Sequence, residues 1–355
     1  MRLLALDLGA SLRGGQRQTA LLLAELSSRG HAIGFVGRRG APLAAALRNR
    51  GGIDVAEAPP GPEASPGLLL SVARAARRFR PDVLYAGDSR GHGAAVWSRA
   101  ASRGPLVVHR RVAFRPSRHP LSGVKYRAAS RFLAVSSAVA ATLESAGVAR
   151  HRIAVVPDGL PVEAFVDVPA PPAPPFQLVH VGAFDGRKGQ GIAVELLARL
   201  VRRGVDATLV FLGSGPERPA VEARAAALGF VSRCVFAGEV EDVAWRLAAS
   251  HLLLLPSDSE GAPLALVEAM AAGCPVLAHA VGGIPELTDH GAAGGLVASL
   301  DPDAWESAAI SLLADCGERA RLIAAGRAKA GERTLQRTAA AVEAELERAR
   351  SEYGT

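Results

Sequence analysis

Residues 252–286 read LLLLPSDSEGAPLALVEAMAAGCPVLAHAVGGIPE, and they carry the strongest structural signal in the chain. Four leucines followed by Pro256 predict a short buried strand that ends at the proline. After a polar loop, Pro263 predicts the first turn of a helix, because the N–H that proline lacks has no intrahelical partner there. Strand, loop and helix in this order are typical of an open α/β sheet, where ligands collect outside the carboxyl ends of the strands.

Two glutamates flank the start of this predicted helix. Glu260 precedes it, and Glu268 lies roughly 7–8 Å along the axis from Pro263, at about 1.5 Å per residue. The free N–H groups and the positive end of the helix dipole favour an anion at this place. The residues expected around that anion are Gly261, Ala262, Pro263 and Leu264. The spacing suits an elongated ligand, with a sugar near Glu260, a diphosphate over the helix start and a ribose near Glu268. The alternative is two solvated glutamates that complement the dipole.

The context of these glutamates favours the ligand. The segment 257–276, SDSEGAPLALVEAMAAGCPV, resembles the donor-site signature of retaining family 4 glycosyltransferases, and VGGIPE at 281–286 resembles the segment that follows it. The resemblance implies an α/β protein with the GT-B fold, in which two doubly wound Rossmann-like domains face each other across a cleft. It also implies that the second domain holds most of the nucleotide sugar.

Length and composition fit such a protein. A chain of 355 residues with 49% hydrophobic residues is expected to form about two globular domains. Its three cysteines are dispersed, which indicates neither a disulfide framework nor a metal knuckle and suits a reducing cytoplasm. No apolar run approaches the ~20 residues that span a bilayer, and the apolar start at 3–8 is too short for a signal-peptide core. We therefore expect a cytoplasmic protein, soluble or peripheral at the inner face of the plasma membrane.

The net charge of +7 is unevenly distributed. Residues 1–165 contain 24 Lys/Arg and 10 Asp/Glu, and residues 103–131 contain eight Lys/Arg and no acidic residue. One interpretation is a first domain that meets an anionic acceptor, or an anionic membrane surface through 103–131. The other is an ordinary arginine-rich surface. Nucleic acid is not expected, because aromatic residues scarcely alternate with the basic ones.

The first domain opens as a βαβ unit. Residues 2–8 predict a strand, 9–15 a glycine-rich loop, 16–29 a helix and 31–36 the next strand. The Gly14-Gly15 pair lets the backbone approach a ligand closely. The loop lacks the G-x-G-x-x-G fingerprint, which argues against a nicotinamide dehydrogenase. With the Arg-Gly-His that ends at His31, it resembles the opening of family 4 enzymes.

Two further features of the first domain have competing interpretations. The segment GDSRG at 87–91 matches G-x-S-x-G, which would make Ser89 the nucleophile of a serine hydrolase, with Asp258 and His279 or His290 as possible partners. The resemblance instead makes this segment an acceptor-side loop. His109 ends a strand and is either a structural histidine with a backbone partner or, by resemblance, a contact of the donor sugar.

A second α/β series follows the proline-dense segment 166–176, which predicts an interdomain linker. Residues 181–189, VGAFDGRKG, resemble the family's phosphate-binding motif, so Arg187 and Lys188 are predicted to clamp the diphosphate. Ala183 departs from that motif, which has arginine there. By resemblance, the turn from Gly238 to Val240 holds the nucleotide base.

These predictions assign residues 1–165 to an acceptor-side domain, 177–330 to a nucleotide-sugar domain and 331–355 to a helix that packs back toward the first domain. Asp301 and Asp303 are interpreted as a helix start and not as a metal site. No other acidic or histidine cluster has ligand spacing, so we expect no metal and no cofactor apart from the nucleotide-sugar co-substrate.

The predicted function is retaining, metal-independent transfer of a sugar from a nucleotide-diphosphate donor to a glycan or lipid-linked acceptor, in cell-envelope or exopolysaccharide synthesis. Glu260, Lys188, Arg187 and His109 are the predicted catalytic residues. Three alternatives remain at this point: a GT-B nucleotide-sugar epimerase, a serine hydrolase that uses Ser89, and a non-catalytic accessory subunit.

Overall fold

The computed structural model describes residues 1–115, 120–166, 168 and 172–353. The chain forms two compact units, which are treated separately. Unit 1 comprises Met1–Gly159 and Leu335–Thr355, and unit 2 comprises Leu160–Thr334. Parts of two predicted segments lie outside the described residues: 116–119 of the basic segment, and 167 and 169–171 of the proline-dense linker.

Unit 1 contains one parallel sheet. Its strands are β1 (Arg2–Asp7), β2 (Ala32–Arg38), β3 (Ile53–Ala58), β4 (Val83–Ala86), β5 (Leu106–Arg110), β6 (Arg131–Ala134) and β7 (Ile153–Val155). They lie in the order β3-β2-β1-β4-β5-β6-β7. The helices that follow them are α1 (Gly14–Ser28), α2 (Pro42–Arg50), α3 (Pro66–Phe79), α4 (Ser89–Trp97), α5 (Pro120–Ala128) and α6 (Ser137–Ser145). The strand order reverses between β1 and β4, so this is the switch point where ligands bind in such sheets.

Unit 2 repeats the arrangement. Its strands are β8 (Phe176–Val181), β9 (Ala207–Leu212), β10 (Cys234–Gly238), β11 (Leu252–Leu255), β12 (Val276–His279) and β13 (Gly295–Val297), in the order β10-β9-β8-β11-β12-β13. Its helices are α7 (Gln190–Arg202), α8 (Arg218–Ala227), α9 (Val243–Ala248), α10 (Leu264–Ala272), α11 (Ile284–Leu287), α12 (Pro302–Ala314) and α13 (Cys316–Gly331). The switch point lies between β8 and β11. The prediction of two doubly wound Rossmann-like α/β domains is confirmed.

In each unit, one of the two strands that flank the switch point, β4 or β11, is apolar and covered on both faces, as is usual for parallel strands between helix layers. All four residues of β4 and all four leucines of β11 are buried. The sequence of β11 therefore shows a continuous apolar run and no alternation, which is why it was recognisable as a buried strand.

Two predicted helix starts differ from the structure. Helix α1 begins at Gly14 and not at residue 16, because Arg13 is the extended N-cap and its carbonyl accepts from the N–H of Arg17. A glycine pair resembles a turn in sequence but can also adopt helical angles. Pro263 is the N-cap of α10, with φ −69° and ψ 118°, so that helix begins one residue later than predicted. Asp301 caps α12 through the N–H of Asp303, as expected.

The last helix, α14 (Leu335–Glu352), belongs to unit 1. Val342 and Leu346 are buried in the same apolar cluster as residues of β1, β4 and β5. The buried guanidinium of Arg131 pairs with Glu345 at 2.5 Å. Among the described residues, no helix is long and apolar enough to cross a membrane.

Because Leu346 is 1% exposed, Leu346→Ala should lower the free energy of unfolding of unit 1 by about 2–5 kcal/mol, the usual cost of such a cavity. Leu70→Ala in α3 is the matched control, since Leu70 is 48% exposed and should change stability by less than about 0.5 kcal/mol. Urea unfolding of the full chain measures both. Equal, small effects would show that α14 is not part of the core of unit 1.

Candidate functional site

The switch point of unit 2 brings two predicted loops together. The loop 182–189 follows β8, the loop 256–263 follows β11, and the two strands are neighbours in the sheet. Gly189 has φ +70°, and a Cβ atom there would lie 2.0 Å from the carbonyl oxygen of Pro256. Only glycine permits this backbone contact. The contact fixes the first loop against the second.

Lys188 and Glu260 form the centre of this site. The Lys188 Nζ lies 2.6 Å from Glu260 Oε1, and Glu260 is only 7% exposed. A carboxylate that is largely removed from water needs a paired charge, because its desolvation is otherwise costly. Both residues were predicted to contact the donor, and the structure places them side by side.

A third loop, which follows β12, contacts the backbone of Glu260. Gly282 follows β12 and has φ +59°, and a Cβ atom there would lie 1.7 Å from the carbonyl oxygen of Glu260. Ser257, in the loop after β11, accepts a hydrogen bond from His279 Nδ1 at 2.8 Å through its carbonyl oxygen. The three loops thus hold the Glu260 backbone at a fixed position.

His180 positions Lys188, the other member of the ion pair, through a hydrogen bond to its backbone. It lies in β8 and is fully buried, and its Nε2–H donates to the carbonyl oxygen of Lys188 at 2.8 Å. Burial lowers the pKa of His180 to about 4, so the ring is neutral at physiological pH. The sequence predictions missed this residue, because a single histidine in an apolar strand carries no local functional signal.

Arg187 is placed differently from Lys188. Its guanidinium pairs with Asp185 at 2.8 Å, and about half of the side chain is exposed. The hydrogen bond to Asp185 raises the pKa of Arg187, and the carboxylates of Asp258 and Glu260 add to this effect at longer range. At Ala183, where the family motif has arginine, the backbone carbonyl accepts from Gln190 Nε2.

The remaining predicted residues of unit 2 lie at the carboxyl edge of the same sheet. Gly261 and Ala262 precede α10, Pro263 is its N-cap and Leu264 its first residue. Glu268 lies one turn further along the helix and is partly exposed. Gly238 ends β10 with φ +73°, and its carbonyl oxygen accepts from the N–H of Gly213 at 2.7 Å. Val240 packs against the apolar core of unit 2.

His109 lies in unit 1, where its ring is fully buried at the end of β5. Its Nδ1 accepts from the Tyr85 hydroxyl at 2.8 Å and from Arg111 Nη2 at 3.2 Å. Burial lowers the pKa of His109, and the nearby charge of Arg111 lowers it further, so the ring is neutral. In this arrangement His109 orients its neighbours, and the contact with the donor sugar stays a prediction.

Arg111 is a central residue of unit 1 that the sequence predictions did not single out. Its Nε donates to both carboxylate oxygens of Asp158, at 3.1 and 2.9 Å. Its Nη1 donates to Thr19 and to the carbonyl oxygen of Gly87, next to the switch point. A Cβ atom on Gly15 would lie 3.5 Å from Arg111 Cδ, so Gly15 faces this side chain. In sequence, Arg111 is only one member of a basic run.

Ser89 lacks the surroundings of a hydrolase nucleophile. It is the first residue of α4 and is exposed, and its hydroxyl accepts from Lys125 Nζ at 3.3 Å. The preceding Asp88 caps the helix through the N–H of Gly91, and burial raises the pKa of Asp88 to about 7, with Asp7 adding to the shift. The Ser89 hydroxyl is thus hydrogen-bonded to a lysine and not to a histidine.

Among the described residues, no group of three His, Cys, Asp or Glu side chains could hold a metal ion.

Comparison with known proteins identifies the class of the chain. Residues 12–164 match the family model of glycosyltransferase family 4, and residues 175–315 match that of glycosyl transferases group 1. Together the two matches span most of the chain. By sequence and fold, it is a glycosyltransferase-type protein with the two Rossmann-like domains of the GT-B fold.

Individual relatives match over shorter stretches. N-acetyl-α-D-glucosaminyl L-malate synthase of Bacillus anthracis is 39% identical over 150 residues, which are 41% of this chain and 39% of that protein. The GDP-mannose-dependent α-(1-6)-phosphatidylinositol monomannoside mannosyltransferase of Mycolicibacterium smegmatis is 34% identical over 169 residues, 45% of this chain and 44% of that protein. The chain thus spans less than half the length of these relatives. The crystal structure of Anabaena HepE with UDP and glucose has a TM-score of 0.81 at 21% identity and covers 98% of this chain and 100% of that chain, which shows the fold.

The close approach at Gly282 predicts that Gly282→Ala will destabilise unit 2 and displace Glu260. The left-handed backbone costs roughly 1–2 kcal/mol and the overlap with the Glu260 carbonyl roughly 1–3 kcal/mol more. Gly204→Ala is the matched control, because Gly204 has φ +85° and open space around its Cα. Denaturant unfolding of the two variants separates backbone strain from close contact. Equal losses would contradict the proposed support of Glu260.

The burial of His180 predicts a pH effect on stability. The ring stays neutral down to about pH 4 in the folded protein, whereas the unfolded chain takes up a proton near pH 6.5. The unfolded state therefore binds more protons between these values, and stability is lost as the pH falls from 6.5 toward 4, by up to about 3 kcal/mol. His180→Gln should flatten this dependence when unfolding is measured from pH 4 to 7. An unchanged slope would contradict the buried, neutral ring.

Proposed function

We propose that the protein is a retaining, metal-independent glycosyltransferase that moves a sugar from a nucleotide-diphosphate donor to a glycan or lipid-linked acceptor. No cofactor is proposed beyond the donor itself. The two glycosyltransferase family models support the reaction class. The observation that carries the proposal is the Lys188–Glu260 pair, with 2.6 Å between cation and carboxylate.

This pair matches the chemistry of the donor bond. In a nucleotide sugar, the sugar ring and the diphosphate are joined through a single oxygen, so a residue that binds sugar hydroxyls must lie next to one that binds phosphate. Glu260 would accept hydrogen bonds from sugar hydroxyls. Lys188 would neutralise the charge that develops on the leaving diphosphate, which is electrostatic catalysis of the oxyanion-hole kind.

The start of α10 would complete the phosphate site. The N–H groups of Gly261, Ala262 and Leu264 and the helix dipole would stabilise the diphosphate, with Pro263 fixing the turn. Arg187 would contribute after leaving Asp185, and in doing so would take the role of the arginine that Ala183 replaces.

The nucleoside would lie along the same edge of the sheet. Glu268 would hold the ribose diol, and backbone groups from Gly238 to Val240 would contact the base. In unit 1, we propose that Gly14 and Gly15 lie near the donor phosphates and that His109 contacts the sugar. The His109 contact would require its hydrogen bonds with Tyr85 and Arg111 to open.

The acceptor is proposed to be an anionic envelope glycan or a lipid-linked sugar. Two observations support this. Residues 1–165 have a large excess of basic residues, and the Mycolicibacterium relative is named for a phosphatidylinositol mannoside acceptor. We therefore propose a cytoplasmic protein that meets an anionic membrane surface, partly through residues 103–131, and binds no nucleic acid.

Thermal unfolding with UDP-, GDP- and ADP-sugars tests the donor site. One of these should raise Tm by a few degrees at saturating concentration, because a ligand at 100 times its Kd adds about 2.7 kcal/mol to stability. Glu268→Ala should abolish this shift. Glu260→Gln should keep part of it but lower transfer roughly 100-fold, because the sugar is no longer held in place.

Glu222→Gln is the control for these variants, since it removes an exposed glutamate paired with Arg218 in the same unit. It should bind and transfer like the wild type. Stabilisation by no nucleotide sugar, or an unchanged shift in Glu268→Ala, would show that the proposed donor site is wrong. Product analysis distinguishes a transferase from an epimerase, which would return an epimerised donor and no glycosylated acceptor.

A further inference from the structure

Asp185 adds a carboxylate to the loop of unit 2 that carries Arg187 and Lys188. Its side chain is only 13% exposed, and both of its carboxylate oxygens accept hydrogen bonds from Arg187. Oδ1 accepts from the backbone N–H of Arg187 at 3.4 Å, and Oδ2 accepts from Arg187 Nη2 at 2.8 Å. Gly186 lies between the two residues with φ +81°, a left-handed turn that suits glycine. The carboxylate is therefore held against the arginine by the shape of the loop.

Both cations of the proposed diphosphate site are thus paired with carboxylates of the protein. Lys188 pairs with Glu260 at 2.6 Å, and Arg187 pairs with Asp185 at 2.8 Å. The two carboxylates differ in the contacts that a donor offers them. Glu260 is proposed to accept hydrogen bonds from sugar hydroxyls. Phosphate oxygens are acceptors and carry negative charge, so they offer nothing to Asp185.

Arg187 lies close enough to the centre of the site to exchange partners. Its carbonyl oxygen accepts from the N–H of Asp258 at 3.0 Å, which fixes its backbone against the 256–263 loop. The hydrogen bond with Asp185 raises the pKa of Arg187, and the charges of Asp258 and Glu260 add to this effect, so the guanidinium lies within range of both. Its side chain is 53% exposed, and ion pairs near the surface contribute little to stability. A move from Asp185 to a phosphate therefore needs only the rotation of one accessible side chain.

We infer that Asp185 competes with the diphosphate for Arg187, and so sets the affinity for the nucleotide-sugar donor and for the nucleoside diphosphate product. Without a nucleotide, Asp185 holds the guanidinium. With a nucleotide, Arg187 binds phosphate oxygens, for which the planar guanidinium is well suited, and Asp185 loses its cation. After transfer, the same competition favours release of the product. Asp185 is a positioning residue that acts through Arg187, and this role rests on the proposed function.

A purely structural role of Asp185 would have different consequences. Its Oδ1 accepts from the N–H two residues further on, as in an Asx turn, and this bond would shape the loop whatever the charge of the side chain. Asp185→Asn keeps an acceptor oxygen at this place and removes the charge, so it separates the two roles. Asp185→Ser is a second variant of the same kind, because a serine hydroxyl can form the equivalent turn.

Isothermal titration of the full chain with UDP, GDP and ADP tests the inference, and the nucleotide that binds the wild type best is used for every variant. Asp185→Asn and Asp185→Ser should each bind it about three- to tenfold more tightly, because the guanidinium no longer has to leave a carboxylate. Arg187→Gln should bind it about tenfold more weakly, since a charge-assisted contact is lost. Thermal unfolding without nucleotide shows whether each variant folds.

The double variant Asp185→Asn/Arg187→Gln shows whether the carboxylate acts through the arginine. Competition predicts that the double variant binds like Arg187→Gln, because there is no guanidinium left to release. Simple repulsion between Asp185 and the phosphates predicts the same gain in both backgrounds. Equal gains in the two backgrounds, or affinity no higher than that of the wild type in both Asp185→Asn and Asp185→Ser, would overturn the inference.

Asp206→Asn is the matched control. Asp206 pairs with Arg233 at 2.6 Å and precedes β9, so it lies at the amino edge of the same sheet, away from the switch point. This variant removes the same charge from an equivalent ion pair and should bind the nucleotide like the wild type. A gain equal to that of Asp185→Asn would show that net charge sets the affinity, which would also contradict the inference.

Glu268→Ala, measured in the same series, separates this inference from the proposed function. If the nucleotide binds the wild type and is lost in Glu268→Ala, but Asp185→Asn binds like the wild type, the donor site stands and only the competition is refuted. If no nucleoside diphosphate and no nucleotide sugar binds any sample, the proposed donor site is wrong and the inference fails with it.

Discussion

The candidate site of unit 2 depends on backbone contact between loops that follow different strands. Gly189 lies against the Pro256 carbonyl and Gly282 against the Glu260 carbonyl, at distances that no side chain allows. These contacts hold Lys188 and Glu260 at the separation of a strong ion pair without relying on the attraction between the two charges. If attraction alone brought the two groups together, the free-energy cost of desolvating both charges would largely cancel their attraction. Because the loops set the geometry, the cation and the carboxylate remain available to a ligand that carries both hydroxyl groups and phosphate.

Much of this arrangement could be predicted from sequence, because its local parts have strong patterns. The leucine run of β11 and the proline before α10 mark a strand and a helix start, and both were recognisable in isolation. The pairing of Lys188 with Glu260 was not, since it depends on β8 lying next to β11 in the sheet, although the two strands are far apart in the chain. The start of α1 was misplaced because a glycine pair favours a turn when it is considered alone, whereas here Arg13 is the N-cap and both glycines are helical. His180 and Arg111 were missed for a related reason: each acts through partners that only the folded sheet brings near.

The two units use the same topology with different electrostatics. At the switch point of unit 2, one cation and one carboxylate face each other with part of their surface accessible. At the switch point of unit 1, the Arg111 guanidinium donates hydrogen bonds to Asp158, Thr19, Tyr85 and His109. The hydrogen bonds of this group are therefore made within the protein. The excess of basic residues in 1–165 therefore does not translate directly into ligand-binding capacity. Some of these side chains are structural, and others are exposed and solvated.

This distinction makes the surroundings of a basic side chain more informative than its charge. An exposed arginine keeps its water and needs no explanation, and a buried one with a carboxylate stabilises the fold. Arg111 belongs to the second group, because its guanidinium pairs with Asp158. Groups that are satisfied by the protein have nothing left to offer a ligand. The excess of basic residues in 1–165 therefore does not by itself locate a binding site in unit 1.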